Sequence, residues 1–214
     1  MNTALSISDF FSLSFEGKSQ RDYSPIWKIV KPHLNVRNND EHTLFAFLLA
    51  QKIVLNFPES DPEIVLTAIL FHDTGWSKIP KDKLMQAFGP NNKYPELTRQ
   101  HELESVTIAK KALPKLGFNN QQIIDILALI DGHDTTKNVR SLNDSIHKDA
   151  DKLWRFTPHG NKIIGEWFAI DQNAVLTILE DFVLPTLLTN FGKSQAKIFL
   201  ETAKLNCNLN QFLK

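Results

Sequence analysis

Cysteine is almost missing: Cys207 is the single thiol in 214 residues. One thiol cannot close an internal disulfide, so a disulfide framework is excluded and a reducing compartment is the simplest expectation. Nor can Cys207 build a thiolate metal site by itself. Net charge is missing too, with Lys plus Arg and Asp plus Glu at 24 each. That balance gives no support for a nucleic-acid or membrane-surface partner, since both require a basic excess somewhere, and no basic run is visible. No apolar run approaches the roughly 20 residues that a membrane-spanning helix needs. The first fifteen residues carry no basic residue ahead of their apolar part and are broken by Ser and Asp, so they do not read as an export signal. These absences point to a cytoplasmic protein; oligomeric state is not readable from them. There is also no Gly-rich phosphate loop, no Gly-x-Ser-x-Gly elbow and no Cys-x-x-Cys, so no motif points to those chemistries.

What the chain does have is apolar material and helical periodicity. Hydrophobic residues make up 42% of it, Phe alone occurring 15 times, which is ample for a packed core. From Glu41 to Asn56 the positions Leu44, Phe45, Phe47, Leu48, Ile53, Val54 and Leu55 form a wide apolar stripe at helical spacing. Asn39 or Asp40 is the expected N-cap. The next helix begins at Pro62 and is apolar nearly all round through Phe71, which predicts a central buried helix with Gly75 at its exit. Residues 76–100 hold Pro80, Pro90 and Pro95 and read as loop or short helix. Further helices are expected over about Glu96–Ala112, Asn119 or Asn120 to Ile130, and Ser141–Phe156. Three more stretches follow from Asn161, interrupted near Asp171, Pro185 and Gly192. Hairpin-linked strand patterns, internal repeats and low-complexity linkers are absent. The expected architecture is one all-α domain over 1–214, with a core of about 25–160 and a C-terminal helical extension of about 161–214.

Chemistry concentrates in the histidines. Four of the seven sit near predicted helix ends beside acidic residues: His42 in Asp40-Glu41-His42, His72 in Phe71-His72-Asp73, His101 in Gln100-His101-Glu102, and His133 in Gly132-His133-Asp134. An acidic cluster follows in Lys148-Asp149-Ala150-Asp151-Lys152-Leu153. Imidazole nitrogen and carboxylate oxygen are ligands for divalent Mn, Fe, Zn, Co or Ni, and a carboxylate can bridge two ions or hold a His ring in its ligating tautomer. Neighbours on a helix point about 100° apart and do not normally converge on one ion. At the last turn the backbone can depart from helical geometry, so His72 and Asp73 can both turn inward. An ionised Asp behind so apolar a helix is costly unless metal-bound or paired. Any one of these histidines alone is most simply a cap or a surface residue; the joint order is what points to a metal.

That order, His42, then His72-Asp73 closing an apolar helix, then Asp151 in Ala150-Asp151-Lys152-Leu153, resembles the HD-domain superfamily of metal-dependent phosphohydrolases over residues 25–160. Phe71-His72-Asp73-Thr74-Gly75-Trp76 is similar to that family's Leu-His-Asp-Ile-Gly signature, with Thr74 in place of an aliphatic residue. The resemblance implies a compact helical bundle, with His42, His72, Asp73 and Asp151 as ligands of one divalent metal. Asp149 competes for the last place, and Asp151 is preferred because it directly precedes Lys-Leu. Members with two metals carry two more histidines between the His-Asp pair and the final Asp, which implies His101 and His133 as ligands of a second ion sharing Asp73.

Phosphate ester or anhydride hydrolysis by a metal-activated water fits such a centre, acting on a small phosphorylated molecule or nucleotide rather than a nucleic-acid polymer. A divalent ion acidifies bound water and polarises a phosphoryl oxygen. Asp73, Glu102 and Asp134 are the expected catalytic carboxylates. A phosphate also needs cationic partners. Lys78, Lys81, Lys137 and Arg140 fall near the expected metal side, but Lys152 and Arg155 follow Asp151 within about one helical turn and are preferred. His159, in Thr157-Pro158-His159-Gly160, is a further candidate for the substrate pocket, whereas His33 and His147 have no metal-like partners in order. Trp27, Trp76, Trp154 and Trp167 are expected as core or pocket walls. The resemblance also leaves open a di-iron oxygenase that cleaves a C–C or C–P bond, and a regulatory module that keeps its metal without turnover.

Overall fold

The computed structural model describes residues 10–11, 21–89 and 92–212. The stretch 1–15 read above as no export signal lies outside these residues apart from 10–11, and so does Pro90. Among the described residues there are nine α-helices and no β-strand: α1 Ser24–Leu34, α2 Asn39–Val54, α3 Pro62–Phe71, α4 Pro95–Ala112, α5 Asn120–Ile130, α6 Leu142–Leu153, α7 Pro158–Phe168, α8 Gln172–Ile178 and α9 Asn190–Phe212. The all-α architecture expected from the periodicity is the one observed. None of these helices is long and apolar enough to cross a membrane.

The central helix is α3. Asp61 caps it by accepting hydrogen bonds from the backbone N–H groups of Glu63 and Ile64, Pro62 supplies a pre-set φ at the first turn, and every residue but Glu63 is buried. Being apolar all round, α3 can only sit where neighbours cover every face. It packs against α2, α5 and α6, with α1 and α4 completing the shell. The apolar core runs on from there to Val175, Leu176, Leu179, Ala196 and Leu200 in the C-terminal helices.

Several helix ends differ from expectation for local reasons. The cap of α2 is Asn38 rather than Asn39 or Asp40. It lies in the left-handed region with φ 56° and makes no side-chain capping bond, and Arg37 before it has φ 53°. Helix α1 was not among the elements expected; Pro32 lies inside it. The expected helix Ser141–Phe156 is α6 with Ser141 as its cap, followed by a tighter 3-10 turn over Trp154–Phe156. Gly192 interrupts nothing. It lies in the first turn of α9, where a Cβ would come within 2.5 Å of Asp149 Oδ2.

Candidate metal centre

Five elements deliver one side chain or two each to a single buried point. His42 comes from the first turn of α2, His101 from the first half of α4 and Asp151 from the last turn of α6. His133 follows α5 on a turn whose Gly132 has φ 76°. The His72-Asp73 pair closes α3: His72 keeps helical angles (φ −54°, ψ −38°), while Asp73 leaves the helix at φ −103°, ψ 3°. That one-residue departure turns both neighbours inward, against the roughly 100° divergence of a regular helix. Gly75 then brings the following turn against α4 so closely that a Cβ would lie 1.9 Å from the carbonyl oxygen of His101.

The converging atoms form two lobes around one carboxylate. In the first lobe His42 Nε2 lies 3.1 Å from His72 Nε2 and 3.1 Å from Asp151 Oδ1. Asp73 Oδ2 faces both rings, at 3.5 Å from His42 Nε2 and 3.7 Å from His72 Nε2. In the second lobe His101 Nε2 and His133 Nε2 are 3.3 Å apart, and Asp73 Oδ1 is 3.6 Å from the first and 3.7 Å from the second. Asp134 Oδ2 closes this lobe at 3.8 Å from each ring.

The donor set of imidazole nitrogens and carboxylate oxygens fits divalent cations. His72 Nδ1 is 2.7 Å from the carbonyl oxygen of Ile69, and His133 Nδ1 is 2.9 Å from that of Ile130. A carbonyl only accepts, so both rings carry their proton on Nδ1 and, when neutral, turn a bare Nε2 lone pair inward. Those two lone pairs face the Nε2 atoms of His42 and His101 and carboxylate oxygens at 3.1–3.8 Å, a set that favours positive charge between them. The electrostatics agree. Burial opposes charge on His133, but the carboxylates of Asp134 and Asp73 outweigh it and push its pKa up to about 10. Its neighbour His101, desolvated and facing His133, is pushed down to about 3. For Asp73, burial is overcome by the surrounding imidazoles, which hold its carboxyl well below the usual range. Three groups of these side chains have ligand atoms close enough together to hold an ion: His42, His72 and Asp151; His72, Asp73 and His133; and His101, His133 and Asp134.

Residues 39–155, more than half of the chain, match the family model described as HD domain. The chain belongs to the HD-domain family. No curated protein and no solved structure matches it.

All six histidines and aspartates expected as ligands fall inside the matched HD domain and are brought together. The other expected site residues separate. Arg155 lies at the site: its Nη1 donates to Asp151 Oδ2 at 3.3 Å, and it lines the adjoining cavity of about 660 Å³. Asp134 lines that cavity as well. Glu102 does not; its oxygens accept from the backbone N–H groups of Asp134 and Thr135, the Thr135 hydroxyl and Arg99, so it holds the loop that carries His133 and Asp134. Lys152 faces away, its Nζ donating to the carbonyl of Thr186 at 3.2 Å. His159 stacks on Phe45 at 4.6 Å between centroids and contacts Glu41 and Trp154 outside the cavity. Asp149 belongs to a different structure: it accepts from Leu188 N, Thr189 N and the Thr189 hydroxyl, each at 2.7 Å.

Sequence reasoning missed three neighbours. Arg37, in the turn before α2, and Asn39, the first residue of α2, line the cavity, and nothing in their spacing marks them. His147, fully buried on α6, meets the rings of His72 and His133 edge-on at 5.7 and 5.9 Å. The expectation for the tryptophans divides cleanly: Trp27 is in the core, and Trp76, Trp154 and Trp167 line the cavity.

Proposed function

We propose that this HD-domain protein is a metal-dependent phosphohydrolase that opens a phosphate ester with water. The observation that carries the reading is Asp73, whose two oxygens face two separate pairs of imidazoles across one buried point. Divalent ions held there by His42, His72, Asp151, His101, His133 and the shared Asp73 would supply Lewis acidity to a phosphoryl oxygen and acidify water.

The chain's own groups do the rest. Asp134, beside His101 and His133 and facing the cavity, is placed to take a proton from the attacking water as its oxygen bonds to phosphorus. The P–O ester bond breaks, and Asp134 returns that proton to the departing alcohol oxygen. Arg155 holds Asp151 and adds positive charge at the cavity wall, where phosphoryl oxygens carry negative charge. Glu102 is a positioning residue, fixing the Asp134–Thr135 backbone. Walls of Trp76, Trp154 and Trp167 exclude bulk water from the reacting groups.

The test loads the purified chain with Mn or Co and measures phosphate release from a panel of phosphomonoesters, with metal content determined alongside. Turnover is expected in the wild type, and Asp73→Asn is expected to lose most of its bound metal and at least about 100-fold in kcat, since both lobes share that side chain. Phosphate release by Asp73→Asn at the wild-type rate would overturn the reading. So would tightly held iron with oxygen consumption and no phosphate release.

A further inference from the structure

The cavity beside the metal centre is built from two parts of the chain with different chemistry. On one side stands the turn before α2. Its Arg37 and Asn38 both have positive φ, 53° and 56°, which non-glycine residues adopt at a cost. That turn places Arg37 among aromatic rings, its guanidinium carbon 3.6 Å from the centroid of Phe88, 4.3 Å from Trp76 and 5.2 Å from Trp167. Ring faces attract the cation but accept no conventional hydrogen bond. Its Nε and Nη1 are shielded from solvent and have no hydrogen-bond partner among the described residues. Asn39, only 1% exposed, is in the same position, with both Nδ2 and Oδ1 unpartnered. Two adjoining side chains thus line the cavity with shielded, unused donors, an arrangement that is costly without an occupant.

A second part of the lining comes from outside the matched region. Phe168, Ile178, Leu179, Phe182 and Val183 line the cavity from α7, α8 and the wide π-helical turn after α8. Phe182 does so although it is 70% exposed, which puts it at the mouth. None of these five side chains carries a hydrogen-bonding group; Trp167, beside them on α7, brings only its indole N–H, a donor. Asn92 and Thr98 also line the cavity, where Asn92 Nδ2 donates one hydrogen to the Thr98 hydroxyl and that hydroxyl donates to the carbonyl of Ala87.

We propose that Arg37 and Asn39 form the anion-binding subsite of this cavity, and that the substrate is a phosphate ester of an apolar, ring-sized alcohol rather than of a sugar or polyol. The phosphate in this statement rests on the phosphohydrolase reading; the subsite and the apolar wall do not. Arg37 donates to phosphoryl oxygens through its planar fork, Asn39 adds one donor, and the apolar body lies against the C-terminal wall. A sugar hydroxyl pressed against Phe168, Ile178, Leu179, Phe182 and Val183 would lose its water and gain no partner there.

Phosphonates, which lack the ester bond, read binding without turnover. Calorimetry on the full chain with Mn present compares 1-naphthylmethylphosphonate, a dihydroxypropylphosphonate and neutral 1-naphthalenemethanol. Wild-type protein is expected to bind the naphthyl compound at least about 30-fold more tightly than the polyol, from apolar area removed from water. Arg37→Ala is expected to weaken naphthylmethylphosphonate at least about tenfold and to leave the neutral alcohol unchanged, with Arg37→Lys in between. Phe182→Ser, at an exposed side chain that the fold does not need, is expected to weaken the naphthyl compound and leave the polyol unchanged. Equal affinity for the two phosphonates, or undiminished binding in Arg37→Ala, would overturn the proposal. If Arg37→Ala loses its helical circular dichroism, Arg37→Lys and Phe182→Ser decide by the same criteria. Binding as expected with no phosphate released from 1-naphthyl phosphate would overturn the hydrolase reading alone.

Discussion

Two aspartates two residues apart on one helix, Asp149 and Asp151, do unrelated work. Asp151 turns Oδ1 toward His42 and His72 and shares its other oxygen with Arg155. Asp149 points to the other side of α6 and gathers the backbone of Leu188 and Thr189 ahead of α9. Burial pushes the Asp149 pKa up even though those donors pull it down. Replacing Asp149 by Ala is therefore expected to leave one buried and one half-buried amide unsatisfied and to cost about 1–3 kcal/mol of stability, with metal content unchanged. Asp151→Asn is expected to do the reverse: it loses metal and activity, and its unfolding midpoint in the presence of chelator stays close to that of the wild type. Denaturant melts together with elemental analysis of both variants check this. The two carboxylates look alike as sequence, differing only in that Lys152-Leu153 follows the second, because the face each occupies is set by what packs on either side of α6.

At the scale of elements, the centre depends on how closely the turn after α3 approaches α4. Gly75 N donates to the Ser105 hydroxyl at 2.8 Å, and no atom larger than hydrogen fits between the Gly75 Cα and the carbonyl of His101. Gly75→Ala is expected to force α4 outward, costing at least about 1–3 kcal/mol and displacing His101 from its lobe. Metal stoichiometry should fall in the folded fraction, as measured by elemental analysis after size-exclusion chromatography. The sequence marks Gly75 as a helix exit. Its stricter role as a contact surface for α4 is invisible there, because that contact joins residues 30 apart in the chain. The long helices were the legible elements, since α2, α3, α4 and α5 have strong stripes or clear stop signals. Helix α1 was not, and Pro32 within it is the kind of residue that hides a helix.

Across the whole molecule, buried carboxylates carry much of the polar organisation. Asp144, fully buried at the start of α6, accepts from Arg140 Nη2 at 2.9 Å and Lys148 Nζ at 3.1 Å, while Lys148 also donates to the carbonyl of Thr136 and ties down the loop before α6. Burial raises its pKa, but the bonds from Arg140 and then Lys148 outweigh that and leave it lowered. A carboxyl whose folded pKa is depressed stabilises the fold above its unfolded value, near 4, and that contribution disappears as pH falls through the folded value. The Asp144 contribution, read as the difference between the thermal melts of the wild type and Asp144→Asn, is thus expected to be constant from neutral pH to about 5 and to be lost on further acidification. Asp144→Asn, already less stable at neutral pH, should show a shallower acid limb. An acid limb identical to that of the wild type would mean that Asp144 does not contribute to it.

The sequence by itself determined the helical class and the identity of the converging residues. Periodicity is a local property, and His42, His72, Asp73, His101, His133 and Asp151 could be named because each histidine stands beside an acidic residue and the set follows a recognisable order. Only the tertiary structure decided what their neighbours do. Glu102 sits next to His101 yet faces a loop, Lys152 sits next to Asp151 yet faces Thr186, and Arg37 reaches the cavity from a turn with no motif. The reason is physical. On a helix, adjacent residues point about 100° apart, so only packing selects which one meets the site. The cavity's apolar wall comes from α7, α8 and the turn after them, and no spacing along the chain records that distant surface.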